Sequence, residues 1–123
     1  MTALPADDRI RVPPELLPYP HWVCWQYATR DGKRTKLPID PSTGALASAT
    51  DASTWGTYDT ASTALAWKHH SGLGFVFAPD DPFCFIDLDD AYDLDVTLPW
   101  AQAVVDRFPD AYWEVSVSGT GLH

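Results

Sequence analysis

Short apolar runs, turn signals and two helical stripes follow one another along this chain, and together they predict its elements. Trp22-Val23-Cys24-Trp25-Gln26-Tyr27-Ala28 is rich in aromatic and β-branched residues and predicts a strand. Arg30-Asp31-Gly32-Lys33 carries an Asp-Gly turn signal, and Thr35 to Ile39 is the expected return strand. Pro38 lacks an N–H and restricts that strand to a sheet edge. Pro41-Ser42-Thr43-Gly44 is a further turn, and an irregular polar loop runs from Ala45 to Gly56. Tyr58 to His70 predicts a helix, with Asp59 in its first turn, Lys68 in its last, and Gly72 as a stop signal. Ala61, Leu65 and Trp67 or Lys68 would form its inner stripe.

Two further apolar segments, Leu73 to Ala78 and Phe83 to Asp89, flank the turn Pro79-Asp80-Asp81-Pro82 and are expected to pair as strands. A second helix is expected from Pro99 to Arg107, with Ala101, Val104, Val105 and Phe108 buried. Ala111 to Ser116 predicts a third core strand. Gly119 and Gly121 make a tight turn, and Leu122-His123 begins another strand. The order β-β-α-β-β-α-β-(β) predicts the α+β class, a mainly antiparallel or mixed sheet flanked by two helices.

Composition narrows the function classes. The length of 123 residues fits one small domain, and 46% apolar residues with six Trp, five Tyr and five Phe suffice for a core. No run of 18 apolar residues exists, so no membrane span is expected, and residues 1–20 form a Pro-rich arm without the apolar core of a signal peptide. Cys24 and Cys84 both lie in apolar runs, which predicts reduced, buried thiols in a cytoplasmic protein. Trp55 and Trp67 are expected in the core, and His69 and His70 as partners of the helix C-terminus.

The net charge of −9 argues against general nucleic-acid affinity, but its distribution changes that reading. Residues 1–79 hold seven acids and seven bases, whereas residues 80–123 hold ten acids and one base, Arg107. Four of the eight bases, Arg30, Lys33, Arg34 and Lys36, fall within seven residues. The chain has an acidic pole and a basic loop.

The acidic pole carries the candidate chemistry. In Phe85-Ile86-Asp87-Leu88-Asp89-Asp90, residues i and i+2 of a strand share a face, so Asp87 and Asp89 would project together. A hard divalent cation, Mg²⁺ or Mn²⁺, relieves the repulsion of such a pair. An EF-hand is excluded, because the spacing from Asp87 would put Ala91, Tyr92 and Leu98 at required ligand and glycine positions. A Mg²⁺-dependent phosphatase of the haloacid-dehalogenase type shares the D-L-D-D look. It needs Thr or Val where Ala91 stands and a long doubly wound fold afterwards. Ser118-Gly119-Thr120-Gly121-Leu122-His123 is a glycine turn whose backbone N–H groups could hold a phosphate, with His123 as a further donor. A metal pair beside a phosphate-binding turn is what nucleotidyl transfer requires.

These pieces together resemble the primase–polymerase domain of phages and plasmids, within the archaeo-eukaryotic primase superfamily. The matching residues are Trp22 and Trp25; Lys36-Leu37-Pro38 with Pro41-x-Thr43-Gly44; Ala47-Ser48-x-x-Asp51 with Thr54-Trp55; Gly72-x-Gly74-Phe75-Val76-Phe77; Phe85-Ile86-Asp87-Leu88-Asp89; and the Ser-Gly-x-Gly-x-His segment. The resemblance implies that residues 21–123 are the N-terminal part of such a domain. It implies that Asp87 and Asp89 bind Mg²⁺ or Mn²⁺ and that His123 contacts the phosphates of an incoming nucleoside triphosphate. Ser118, Gly119 and Gly121 would shape that contact, and Lys36 would meet the triphosphate or the template. Partners would be nucleoside triphosphates, a single-stranded DNA template and a fused or separate helicase. The family's third acidic residue lies beyond the His motif, so the 123 residues alone are expected to be inactive or nearly so. The alternative is a non-catalytic nucleotide- or nucleic-acid-binding remnant of the same fold.

Overall fold

The computed structural model describes residues 12–116 and 118–123 of the chain. Of the Pro-rich arm expected over 1–20, residues 1–11 lie outside the described residues. The chain divides into two compact units, the first reaching Pro82 and the second beginning at Phe83. The class is α+β, with two helices and antiparallel sheets of three and two strands.

In the first unit, β1 (Trp22–Arg30) and β2 (Lys33–Ile39) form a hairpin whose register runs from Arg30↔Lys33 to Cys24↔Ile39. Asp31 and Gly32 both hold positive φ, 51° and 75°. That is the two-residue turn whose twist matches the flanking strands, and it explains why Asp-Gly stands there. On the other side of β1, β3 (Gly72–Phe75) pairs antiparallel from Trp22↔Phe75 to Trp25↔Gly72. The order β2-β1-β3 leaves β2 at an edge, where Pro38 is tolerated.

The helix α1 (Tyr58–Lys68) starts where Thr57 Oγ1 accepts from the Thr60 N–H at 3.1 Å, and ends at His69, which turns left-handed at φ 53°. Its inner stripe is Ala61 and Ala64, with Leu65 beside them, packed on Trp22, Cys24 and Ile39 from one sheet face. The Cys24 thiol donates to the Ala61 carbonyl at 3.4 Å, and burial pushes its pKa from 9.0 to about 11. Val12 and Leu16 pack on the same core, and the Trp22 indole N–H donates to the Leu16 carbonyl at 3.2 Å, so residues 12–16 lie on the sheet–helix core.

The opposite sheet face carries Trp25 and Tyr27 from β1 and Arg34, Lys36 and Pro38 from β2. The Trp25 indole lies flat against the Gly72 backbone, where a Cβ would stand only 2.6 Å from its Nε1, and Nε1 donates to the Leu73 carbonyl at 3.0 Å. Gly72 is therefore a packing requirement within β3, whereas the helix stop expected there is made by His69.

The loop after β2 is more ordered than its composition suggests. Asp40 is buried and accepts from the Ser42 and Thr43 N–H groups through Oδ1, closing the turn expected at 41–44. Asp51 caps a 3₁₀ turn over Ala52–Thr54, and the Trp55 indole N–H donates to the Ser48 carbonyl at 2.7 Å. Ser48, Asp51, Thr54 and Trp55 thus build one locked loop.

In the second unit, β4 (Tyr92–Asp93) and β5 (Val96–Thr97) make a two-rung hairpin. Helix α2 (Pro99–Val105) buries Ala101, which clusters with Ala91 and Leu122 under Leu88, Tyr92, Val105, Trp113 and Val115.

Several expectations need correction. Residues 83–89 and 111–116 do not form full strands among the described residues. They carry isolated bridges instead, Leu88↔Leu122 and Val115↔Leu122, with the flanking backbone bonds of Glu114 to His123 and of Ser116 to Gly121. The strand at 73–78 finds its partner in β1 rather than in 83–89. Cys84, outside any ladder, is exposed instead of buried. Trp67 is 80% exposed, since it sits about 120° around the helix from the Ala61 stripe. Phe108 lies past the end of α2 and is exposed as well.

Candidate active site

The second unit brings Asp87 and His123 together across a short antiparallel bridge. Leu88 N donates to Leu122 O at 2.8 Å and Leu122 N to Leu88 O at 2.9 Å. On the far side of the same segment, Glu114 and His123 exchange two backbone hydrogen bonds of 2.9 Å each, and Ser116 N donates to Gly121 O at 2.8 Å. Leu122 is therefore the central rung. Directly opposed residues share a face and neighbours along the strand alternate, so Leu88, Leu122 and Val115 turn inward to the core. His123 takes the other face, between Asp87 and Glu114.

The side chains follow that register. His123 Nε2 lies 3.6 Å from Asp87 Oδ1, and Nδ1 lies 3.7 Å from Glu114 Oε1. The Phe85 ring packs on the imidazole with centroids 5.4 Å apart. Asp87 is 52% exposed, Glu114 27% and His123 20%, so the row opens to water at its Asp87 end. Asp89 is exposed and lies in the turn that follows the isolated Leu88 bridge, so the strand expected to align it with Asp87 ends before it. A Cβ at Gly121 would stand 3.1 Å from both the Leu88 carbonyl and Ser116 Oγ, which keeps that position side-chain-free.

The glycine turn adds hydroxyls rather than open amides. Gly119 N donates to Ser116 O at 2.9 Å, and Gly121 N donates to Ser116 Oγ at 2.9 Å. The Thr120 N–H reaches Ser118 Oγ at 3.4 Å. Ser116, Ser118 and Thr120 hydroxyls form a chain with spacings of 2.8 and 3.1 Å. Both glycine N–H groups are thus engaged inside the turn, and the groups this turn offers an anion are the exposed Ser118 and Thr120 hydroxyls.

Carboxylate oxygens suit a hard cation, and Mg²⁺ commonly keeps several waters while binding one or two carboxylates plus substrate phosphates. Asp87 and Asp89 are exposed carboxylates, the donor type such an ion takes. Among the described residues, no three His, Cys, Asp or Glu side chains gather closely enough to hold a metal by themselves. Glu114 does not complete a triad with Asp87, because it addresses the opposite nitrogen of the imidazole.

Lys36 belongs to the first unit. Its Nζ sits 5.3 Å from the Trp25 ring centroid, and the Arg34 guanidinium sits 3.5 Å from that of Tyr27. Both cations lie on the sheet face away from α1, which concentrates the basic hairpin's charge on an aromatic surface. A cavity of about 500 Å³ in the same unit is lined by Pro41, Ser42, Asp59, Thr60, Trp67 and Lys68, among others, and contains none of the sequence-predicted site residues.

Sequence reasoning singled out Asp87 and His123 and missed Glu114 and Tyr112. Tyr112 Oη donates to Glu114 Oε2 at 3.3 Å. The available signal was the alternation Tyr112-Trp113-Glu114-Val115-Ser116, which places a carboxylate on the face opposite two core residues.

No family model matches the chain. It is similar to the DNA primase-polymerase of Nitratiruptor phage NrS-1, with 42% identity over 107 residues, covering 85% of this chain and 14% of that protein. The chain therefore spans about one seventh of the length of the curated relative it matches. No helix among the described residues is long and apolar enough to cross a membrane.

Proposed function

We propose that the chain is the N-terminal part of a primase–polymerase domain that performs template-directed, metal-dependent nucleotidyl transfer in replication. The reading rests on the 3.6 Å approach of His123 Nε2 to Asp87 Oδ1 across the Leu88–Leu122 bridge. The similarity to a phage DNA primase-polymerase over 107 residues supports it. Asp87 and Asp89 would hold Mg²⁺ or Mn²⁺; such an ion, when bound, neutralises triphosphate charge and lowers the pKa of an attacking hydroxyl.

The chain's own residues supply the rest. His123 Nε2, beside Asp87, faces the open end of the row, where the imidazolium form, with an N–H on each nitrogen, would donate to a phosphate oxygen of a nucleoside triphosphate. The Ser118 and Thr120 hydroxyls add neutral donors. Arg34 and Lys36, stacked on Tyr27 and Trp25, would bind the backbone of a single-stranded DNA template or the triphosphate, as a basic, aromatic face does. A fused or separate helicase would be the replication partner.

The test is primer synthesis and extension by the protein expressed from its complete reading frame. Asp87→Ala should abolish extension, and retained extension would refute the assignment. A second reading is a binding remnant of the same fold without turnover. A reading frame that continues past residue 123 into a further acidic strand distinguishes the enzyme from the remnant.

A further inference from the structure

We infer that Glu114 is the positioning residue of His123. It would hold Nδ1 so that Nε2 faces Asp87 and the phosphates of a bound nucleotide. The inference rests on the proposed function for its consequence, but its geometry stands apart from it.

The backbone fixes the pair first. Glu114 and His123 exchange two hydrogen bonds of 2.9 Å, so the two residues are directly opposed and their side chains rise from the same face. The carboxylate is held in turn: Tyr112, two residues earlier and on the same face, donates its hydroxyl to Oε2 at 3.3 Å, leaving Oε1 toward the imidazole at 3.7 Å. Phe85 restricts the ring from another side. Rotating the ring by half a turn about its Cβ–Cγ bond would present carbons, not nitrogens, to both carboxylates, so the observed orientation is the one that both acids favour.

Two carboxylates compete for the imidazole, and their surroundings decide between them. Asp87 is 52% exposed, so water screens it. Glu114 is 27% exposed, and its attraction for an N–H is weakened less. Both separations exceed hydrogen-bond length, and contacts of this kind commonly tighten once substrate is bound. The neutral ring should therefore carry its proton on Nδ1, toward Glu114. In water, histidine generally prefers Nε2–H, so the protein must impose this tautomer.

The experiment is a long-range ¹H–¹⁵N correlation spectrum of ¹⁵N-histidine-labelled protein, metal-free, with the imidazole neutral. Wild type is expected to show His123 as the Nδ1–H tautomer. Glu114→Ala should shift it to Nε2–H, and Glu114→Gln, which keeps an acceptor oxygen, should retain Nδ1–H. An Nε2–H tautomer in wild type overturns the inference without need of any variant, and so does a tautomer unchanged in Glu114→Ala. In primer extension, Glu114→Ala should cost roughly 10–100-fold in kcat/KM, as losses of supporting contacts do, with Glu114→Gln recovering most of it. A wild type that shows the Nδ1–H tautomer yet makes no primers leaves the positioning intact and refutes the enzymatic reading; active wild type with Nε2–H does the reverse.

Discussion

Replacing Gly72 by Ala asks whether the Trp25–Gly72 contact is as tight as the geometry states. The added methyl would stand 2.6 Å from Trp25 Nε1 and 2.7 Å from Cε2 and Cζ2. Carbon contacts are normally about 3.5–4.0 Å, so the indole must move by about 1 Å. Trp25 is buried, and moving it also stretches the 3.0 Å hydrogen bond from Nε1 to the Leu73 carbonyl. Overpacking costs about 1–3 kcal/mol, and a buried donor left without its partner about 1–3 kcal/mol more. The loss of chain entropy in the unfolded state returns about 0.4–1 kcal/mol. The net expectation is a loss of about 2–4 kcal/mol. Urea titration followed by tryptophan fluorescence measures it. Gly74→Ala is the internal control, because its Cβ would meet only Val23 Cγ2 at 3.3 Å and Trp25 Cδ1 at 3.9 Å. It should cost less than about 1 kcal/mol. Equal losses for the two variants, or a Gly72→Ala loss below about 0.5 kcal/mol, would refute the packing argument.

Other consequences follow from the same structure. Thiol alkylation of the folded protein should modify exposed Cys84 and spare Cys24, whose pKa is raised to about 11; mass spectrometry of tryptic peptides reads the ratio, and equal modification contradicts the burial. Because the folded thiol is the weaker acid, the unfolded chain releases that proton first. Stability should therefore fall as pH rises from about 9 toward 11, by ~3 kcal/mol at most, and Cys24→Ser should flatten that part of the urea-midpoint profile. Arg34→Ala and Lys36→Ala should each weaken single-stranded DNA binding and lower the salt slope by roughly 1 in a fluorescence-anisotropy titration; an unchanged slope would remove the hairpin from the nucleic-acid interface. Thr57→Ala deletes the cap of α1 and should cost about 1 kcal/mol in thermal unfolding.

How much of this was legible in the sequence depends on the range of the forces involved. The β1–β2 hairpin could be read because Asp31-Gly32 encodes its turn locally, and α1 because Asp59 and Lys68 mark its ends. The β4–β5 hairpin could not be read, because its turn puts Leu94 and Asp95 at positive φ (47° and 63°), a geometry that leucine does not announce. The exposure of Trp67 was hidden because α1 buries a narrow alanine stripe, and an indole on a short helix ordinarily seeks cover. Within the site, the approach of His123 to Asp87 was anticipated from a family likeness. Glu114 was not, because it lies 27 residues from Asp87 and only the register through Leu122 brings it to His123. The phosphate-binding amides expected in the glycine turn are occupied by Ser116, a side-chain competition that spacing alone does not reveal.

The central claim is that Asp87, Asp89 and His123 form one metal-and-phosphate site, and paramagnetic broadening by Mn²⁺ tests it most directly. Mn²⁺ is titrated, with a nucleoside triphosphate present, into ¹⁵N-labelled protein expressed from its complete reading frame. The account predicts that amides of residues 87–89 and 121–123 and the His123 ring broaden first, and that Asp87→Asn removes the effect. Broadening centred on other residues, or unchanged in Asp87→Asn, would contradict it.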